Sequence, residues 1–402
     1  MIEAQGLPME AGGLPEVSVV MPCLNEEKSI GVCISVIKEC FKRYDIDGEI
    51  IVADNGSTDN SVKIALEMGA IVVSESKRGY GNAYKKGFSA ARGRYIVMGD
   101  SDGTYDFSKI NELLDLLRQG YDFVTGSRVL GNIERSAMPL LHRYLGNPML
   151  TMILNLFFGS NYSDVYCGLR AFTKEAYSVI SPASPGMEFN LELAINAAKA
   201  GLKVCELPVS LVPRVGGESK LSTFSDGWRS LRFMLLYSPT YLFLVPGAVL
   251  VFLGLAAMFL YATPLFDTAG SLISKAPGMA IGSVLVILGV QAASLGVYAR
   301  TMSYLEGYGR NDGLFEKIYR GFSLERGLFA GVVIFGIGGG IGLYMFVMWL
   351  RRGYVLIENM GLAMCAITLL TVGAQIVFSS FYVGLLFFRR ADNAGRGGAD
   401  GR

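Results

Sequence analysis

Hydrophobic positions fall into two regimes along the chain. Up to about residue 235, short apolar runs alternate with longer stretches in which apolar residues recur every three or four positions. The runs at 17–21, 49–53, 70–74, 94–99 and 122–125 read as strands, and 29–43, 59–68, 83–92 and 108–118 carry the helical period. Strands alternating with helices predict crossover units and a mainly parallel sheet. Ligands on such sheets lie beyond the carboxyl ends of the strands. Asn25, Asp54 and Asp100 each follow a strand, so all three are expected to face one crevice.

Beyond residue 236 the pattern changes to long apolar stretches at 242–261, 280–299, 328–350 and 360–388. Each is near or above the roughly 20 residues that a membrane-spanning helix needs, and the last is long enough to tilt or to extend past the bilayer. The connection 300–326 carries Arg300, Arg310, Lys317, Arg320 and Arg326, and Arg389-Arg390 follows the last stretch. The positive-inside rule places both in the cytosol, against Arg351-Arg352 on the other side. Two further stretches, 140–158 and 223–237, mix Leu, Phe, Tyr and Trp with Arg143, Arg229 and Arg232 and read as helices lying in a membrane interface.

Composition follows this division. Charged residues make up 18% of the chain, against roughly 25% in soluble domains, and the deficit lies in the second half. A net charge of +1 gives no case for a nucleic-acid partner. The six cysteines show neither CxxC pairs nor framework spacing and read as reduced thiols. His142 is the only histidine, which excludes a multi-histidine metal centre. The first 15 residues hold no apolar core of the kind a signal peptide needs. The expected organisation is a flexible tail over 1–15, an α/β domain over 16–238, a transmembrane domain of four helices over 239–390 and a tail over 391–402, with the α/β domain and both termini cytoplasmic and the chain, in a prokaryote, in the plasma membrane.

The candidate chemistry centres on Asp100-Ser101-Asp102, at the end of the apolar run 95–98. Two carboxylates one residue apart past a buried strand form a hard-oxygen site for Mg²⁺ or Mn²⁺ carrying a diphosphate. Asp54, first after its strand, is placed to accept from a base N–H, or else to build the turn that follows. Pro22, Asn25 and Glu26 are expected to line the nucleoside pocket. The run Arg78-Gly79-Tyr80-Gly81-Asn82 is glycine-rich without being GxGxxG or a P-loop, and Gly79 and Asn82 are candidates for backbone approach to a donor. Arg128, Arg143, Arg214 and Lys220 are candidate phosphate ligands. Glu188 and Glu192 sit one helical turn apart, facing either a sugar or simply one side of a helix.

Taken in order, Val-Met-Pro-Cys-Leu-Asn-Glu (20–26), Asp-Asn-Gly-Ser-Thr-Asp (54–59), Gly-Asp-Ser-Asp (99–102), Gly-Ser-Arg (126–128), Asp-Val-Tyr-Cys-Gly-Leu-Arg-Ala-Phe (164–172) and Arg-Val-Gly-Gly-Glu-Ser-Lys-Leu (214–221) resemble the family-two inverting glycosyltransferases of the polyprenyl-phosphate type, the dolichol-phosphate mannose synthase and bactoprenol glucosyltransferase group. The resemblance implies a GT-A type catalytic domain in which Asp54 reads the base, Asp100 and Asp102 handle metal and diphosphate, and Arg128, Arg143, Arg214 and Lys220 hold phosphates. It departs at Gly103-Thr104, where relatives often carry a longer polar side chain that can join the metal. The implied partners are a GDP- or UDP-hexose, a polyprenyl or dolichyl phosphate and a bilayer, with homo-oligomerisation open. Two rival readings remain. A processive polysaccharide synthase is disfavoured because no Gln-x-x-Arg-Trp segment is present. A transport or scaffold protein is disfavoured because the spans hold almost no charge, Gln291 and Gln375 being the main polar residues.

Overall fold

The computed structural model describes residues 13–134, 137–214, 223–263, 275–305, 323–352 and 360–396. The chain divides into two compact units at Met234/Leu235.

The first unit is built on a seven-stranded sheet: β1 (Val17–Cys23), β2 (Gly48–Asp54), β3 (Ile71–Ser74), β4 (Tyr95–Met98), β5 (Phe123–Ser127), β6 (Arg170–Thr173) and β7 (Val204–Pro208). Its order is β3-β2-β1-β4-β6-β5-β7. All neighbours run parallel except β6, which is antiparallel to both β4 and β5. The sequence pattern did not disclose β6. It is four residues long and begins with Arg170, so its apolar signature is short. An antiparallel strand begins at the edge where the preceding strand ended. The excursion between β5 and β6 therefore starts and finishes at the carboxyl edge of the parallel strands.

Helices cover both faces, so the central strands are buried on both sides and read as continuous apolar runs. α1 (Ile30–Tyr44) buries Ile30, Cys33, Ile34, Ile37 and Cys40, a stripe at helical spacing, and α4 (Ile110–Arg118) adds Ile110, Leu113, Leu114 and Leu117 on that face. α2 (Ser61–Glu67) flanks them. On the other face α3 (Tyr80–Ala90), α6 (Lys174–Ile180) and α7 (Phe189–Lys199) place Tyr84, Phe88, Ile180, Phe189 and Leu193 against Val20, Ile51 and Ile96. Each such side chain removed from water contributes about 1.5–3 kcal/mol. α5 (Asn147–Phe158) follows a π-helical turn at His142–Gly146, and α8 (Thr223–Tyr237) closes the unit.

The second unit holds α9 (Val245–Ala262), α10 (Lys275–Leu305), α11 (Leu324–Arg351) and α12 (Met360–Arg396). Among the described residues four segments are long and apolar enough to cross a membrane: Thr240–Ala262, Pro277–Met302, Leu324–Arg351 and Met360–Phe387. Glycines let the helix backbones touch. A Cβ at Gly254 would lie 2.6 Å from the Gly282 carbonyl oxygen, and one at Gly331 would lie 3.0 Å from that of Gly373. Small residues at such crossings replace the hydrophobic drive that lipid removes. Polar side chains join α10 to α12: Ser283 meets Thr368 at 2.6 Å, Gln375 donates to Gln291 at 3.2 Å, and Tyr298 donates to Ser379 at 2.6 Å. One hydrogen bond thus joins the two intramembrane glutamines, and the buried Gln375 Oε1 has no partner among the described residues. Arg310, Lys317 and Arg320 lie outside the described residues.

Candidate active site

Strand register brings the expected residues to one edge. Cys23 is level with Asp54, and Val20 is level with Met98, so two residues further on Asp100 reaches the level of Pro22. Ser101 locks this alignment by donating its hydroxyl to the Pro22 carbonyl at 2.6 Å. Arg170, at the start of β6, sits opposite Met98 and Thr125.

The two carboxylates are held alike. Asp100 Oδ1 accepts the hydroxyls of Tyr80 at 2.8 Å and Tyr84 at 3.2 Å. Asp102 Oδ1 accepts the backbone N–H of Thr104 at 3.1 Å and its hydroxyl at 2.6 Å. In each case the other oxygen is left without a hydrogen-bond donor among the described residues, and Asp102 Oδ2 lies 3.8 Å from Arg214 Nε. Burial, with the Asp102 charge beside it, pushes the Asp100 carboxyl up to about 6, against the two tyrosine hydroxyls. A Cβ on Gly168 would lie 2.9 Å from Asp100 Oδ2, so only glycine lets the segment before β6 run this close.

Around this pair the turns after β1 and β2 interlock. Asn25 adopts φ 60°, donates its N–H to Ser57 Oγ at 3.0 Å and accepts from Thr58 N at 2.8 Å. Asp54 is buried and accepts from Gly56 N and Ser57 N at 3.1 and 3.0 Å. Both of its oxygens therefore build the turn. Glu26 forms an ion pair with Arg214. Burial lifts the Glu26 carboxyl; Arg214 opposes this and Asp102 adds to it.

Three expectations change. Arg128 does not present its fork to the crevice. It is buried, and Nε and Nη2 donate to the two oxygens of Asp164 at 2.6 and 2.8 Å. Burial alone would raise the Asp164 carboxyl; the Arg128 guanidinium more than offsets it and holds Asp164 below the usual carboxylate range. Glu192 is buried and accepts from Ala183 N at 3.0 Å and Ser184 N at 2.7 Å, so it braces the loop before α7 rather than facing a sugar. The amides of Gly81 and Asn82 donate to the Pro185 carbonyl at 2.9 and 3.3 Å, so this segment serves close backbone packing rather than donor approach. Gly79, with φ 140°, would drive a Cβ into the same carbonyl. Asp54 holds its own turn with one backbone N–H on each oxygen and keeps acceptor capacity on both.

The remaining candidates are placed as follows. Arg143 is half-buried, donates to the Ile133 carbonyl at 3.1 Å and lies over the Tyr144 ring. Glu188 pairs with Arg229 at 3.4 Å. Lys220 lies outside the described residues. The sequence reading missed Tyr80, Tyr84, Thr104, Asn190 and Arg170. Arg170 is fully buried and donates to the carbonyls of Val165, Cys167 and Asn190, tying the segment before β6 to the start of α7. Tyr80 and Tyr84 carried one legible sign, a four-residue spacing at the start of a helix.

Residues 18–180 match the family model "Glycosyl transferase family 2", and 297–387 match "Glycosyltransferase family 2 C-terminal transmembrane region". The low-salt glycan biosynthesis hexosyltransferase Agl6 of Haloferax volcanii is 38% identical over 373 residues, 92% of this chain and 89% of that protein. A dolichyl-phosphate hexose transferase of the same organism is 32% identical over 212 residues, 53% of this chain and 89% of that one. Among solved structures, glucosyl-3-phosphoglycerate synthase from Mycobacterium tuberculosis is similar at 24% identity and a TM-score of 0.45, covering 56% of this chain and 80% of that one. With a near-full-length relative on one side and matching catalytic and transmembrane models on the other, this chain belongs to glycosyl transferase family 2 and is a membrane glycosyltransferase.

Proposed function

We propose that the enzyme transfers one hexose, mannose or glucose, from a UDP- or GDP-hexose to a polyprenyl or dolichyl phosphate, with inversion, on the cytosolic face of the membrane. The observation that carries this reading is the Asp100/Asp102 pair at the carboxyl edge of the sheet, in a chain that also carries four spans. The two named Haloferax relatives support a hexose as the group moved and an isoprenoid phosphate as its destination.

The donor set fits a hard divalent cation such as Mg²⁺ or Mn²⁺. Among the described residues no group of three or more His, Cys, Asp and Glu stands ready to hold a metal. The protein offers two carboxylates, each with one oxygen pinned by hydrogen bonds and the other without a hydrogen-bond donor among the described residues, that of Asp102 lying within ion-pair distance of Arg214. Mg²⁺ is commonly held by one or two carboxylates with substrate phosphates and water completing the shell. Thr104 donates its hydroxyl hydrogen to Asp102 and so pins one of that carboxylate's oxygens. When bound, the cation neutralises charge developing on the nucleoside diphosphate leaving group.

The chain's own residues do the rest. The turns after β1 and β2 wall the nucleoside side of the crevice, with Asn25 and Asp54 holding their backbones. In this reading Arg214, beside Asp102 and Glu26, binds a diphosphate oxygen, and Arg143 binds the acceptor phosphate. Arg128 acts at one remove by fixing Asp164 and hence the segment that passes Asp100. The nucleophile is a phosphate oxygen whose second pKa is near 6, so it is ionised at neutral pH and needs no strong general base. Catalysis then rests on alignment and on stabilising the departing charge.

A panel of UDP- and GDP-hexoses, offered with polyprenyl phosphate to membranes containing the protein, tests the reading. One sugar on the lipid is expected. A polymer would favour a processive synthase, and no transfer from any donor would favour a transport or scaffold role.

A further inference from the structure

The hydroxyls that meet Asp100 come from α3, and one of them has support from a second helix. Tyr80 donates to Asp100 Oδ1 and accepts from Asn190 Nδ2, in the first turn of α7, at 3.1 Å. The direction of each hydrogen is fixed. A carboxylate only accepts, a phenol has one hydrogen, and so the group facing the phenol oxygen must be the amide NH₂. Tyr84 donates to the same carboxylate oxygen. Its ring stacks on Phe189 with centroids 5.7 Å apart, and the Tyr80 ring meets it edge-on at 4.9 Å. Neither phenol can leave without unpacking the aromatic cluster between α3 and α7.

We infer that Tyr80, backed by Asn190, is a positioning residue that works with Tyr84 to clamp Asp100 by Oδ1 and so presents Oδ2 to a divalent cation. The carboxylate torsion of aspartate is broad and roughly two-fold, so an unrestrained Asp100 would sample both oxygens and many angles. Two donors on one oxygen remove that freedom. Oδ2, beside Gly168, is the oxygen left open. Asn190 reaches the site through Tyr80, and its backbone carbonyl accepts from the buried Arg170, so β6 and α7 share in holding it. The inference rests on the reading of Asp100 and Asp102 as cation ligands.

The test is direct binding of Mn²⁺ alone to the full-length protein in detergent, read from the loss of the free-ion paramagnetic resonance signal. Removing the support of a metal ligand typically weakens affinity by about 10–100-fold. Tyr80→Phe is expected to weaken Mn²⁺ binding about tenfold with little change in melting temperature, because the ring and its packing remain. Tyr84→Phe makes the same test through the other hydroxyl, should either variant fail to fold. Asn190→Leu should give a smaller loss in the same direction. If Asp100→Asn loses Mn²⁺ while both phenylalanine variants bind as tightly as the parent, the hydroxyls merely satisfy burial and the positioning role is overturned. If Asp100→Asn binds Mn²⁺ unchanged, the cation reading itself fails and the positioning role falls with it.

Discussion

At Asp100 and Asp102 two carboxylates share one turn and lean on different donors, phenols for one and Thr104 for the other. Replacing either by Asn keeps an oxygen that can accept those hydrogen bonds and removes one of two neighbouring negative charges. Transfer should therefore fall about a thousandfold or more, as expected when several kcal/mol of charge stabilisation is lost. The melting temperature in EDTA should hold or rise. A thermal melt beside a transfer assay checks both, and full turnover by either variant would remove the pair from the chemistry. The Arg128–Asp164 pair calls for the opposite result. Truncating Arg128 to Ala strands a buried carboxylate and should cost about 3–5 kcal/mol of stability. Because the folded pKa of Asp164 is depressed, the pair's contribution is complete above the unfolded value of about 3.9 and is lost as pH falls through the lower folded value. Without Arg128, burial raises the Asp164 carboxyl, so denaturant melts from pH 7 down to pH 3 should show the gap between parent and Arg128→Ala begin to narrow as pH falls through that raised value and go on narrowing to the acid end. At this scale the sequence was legible where function is local. Asp100-Ser101-Asp102 declared itself by position at a strand end, whereas Arg128 and Asp164 lie 36 residues apart. Nothing in either neighbourhood says that they meet.

Elements were legible in proportion to their periodicity. The five early strands carry uninterrupted apolar runs between helices of clean period, and they form where the pattern places them. β6 was not legible, since four residues headed by a buried arginine give no alternation to read, and its antiparallel sense depends on which strands flank it. The stretch 140–158 shows both sides of the matter. Its composition suggested an interface helix, and the structure resolves it into a π-helical turn and α5 with one buried side, Leu150, Thr151 and Leu154. The other side leaves Leu141 56%, Tyr144 69%, Met152 64% and Leu156 63% exposed. Exposed apolar side chains of this kind predict an interaction surface, and with Arg143 beside them the expected partner is a lipid surface. Both side chains are largely exposed, so Met152→Lys and Leu156→Lys should leave nucleotide binding and melting temperature unchanged. The KM for a long-chain acceptor in vesicles should rise several-fold, while that for a short-chain acceptor in detergent should not. Equal shifts for both acceptors would mean that this face meets something other than lipid.

At the scale of the whole molecule, the first unit carries two apolar cores of its own, one on each sheet face, and the complete Asp100/Asp102 constellation. The second unit is held by glycine contacts and by polar pairs between α10 and α12. On the proposed function, this division separates chemistry from access to the acceptor. A chain ending at Ser238 retains α8 and everything before it, and it should fold and bind nucleotide with the affinity of the full enzyme. Anchoring confines an enzyme to the layer its lipid substrate occupies, and effective concentrations under such tethering reach the millimolar range. Losing the anchor should reduce transfer to long-chain polyprenyl phosphate in vesicles by about a hundredfold or more. Transfer to a short-chain phosphate free in solution should change only a few-fold, since neither the crevice nor the charge of the nucleophile depends on the spans. Parallel assays with the two acceptors, at matched nucleotide-sugar concentration, give the comparison. Undiminished transfer to the long-chain lipid would show that the four spans are not there to bring the acceptor within reach. Their paired glutamines and hydroxyls would then belong to a later step, the movement or handing on of the glycosylated lipid.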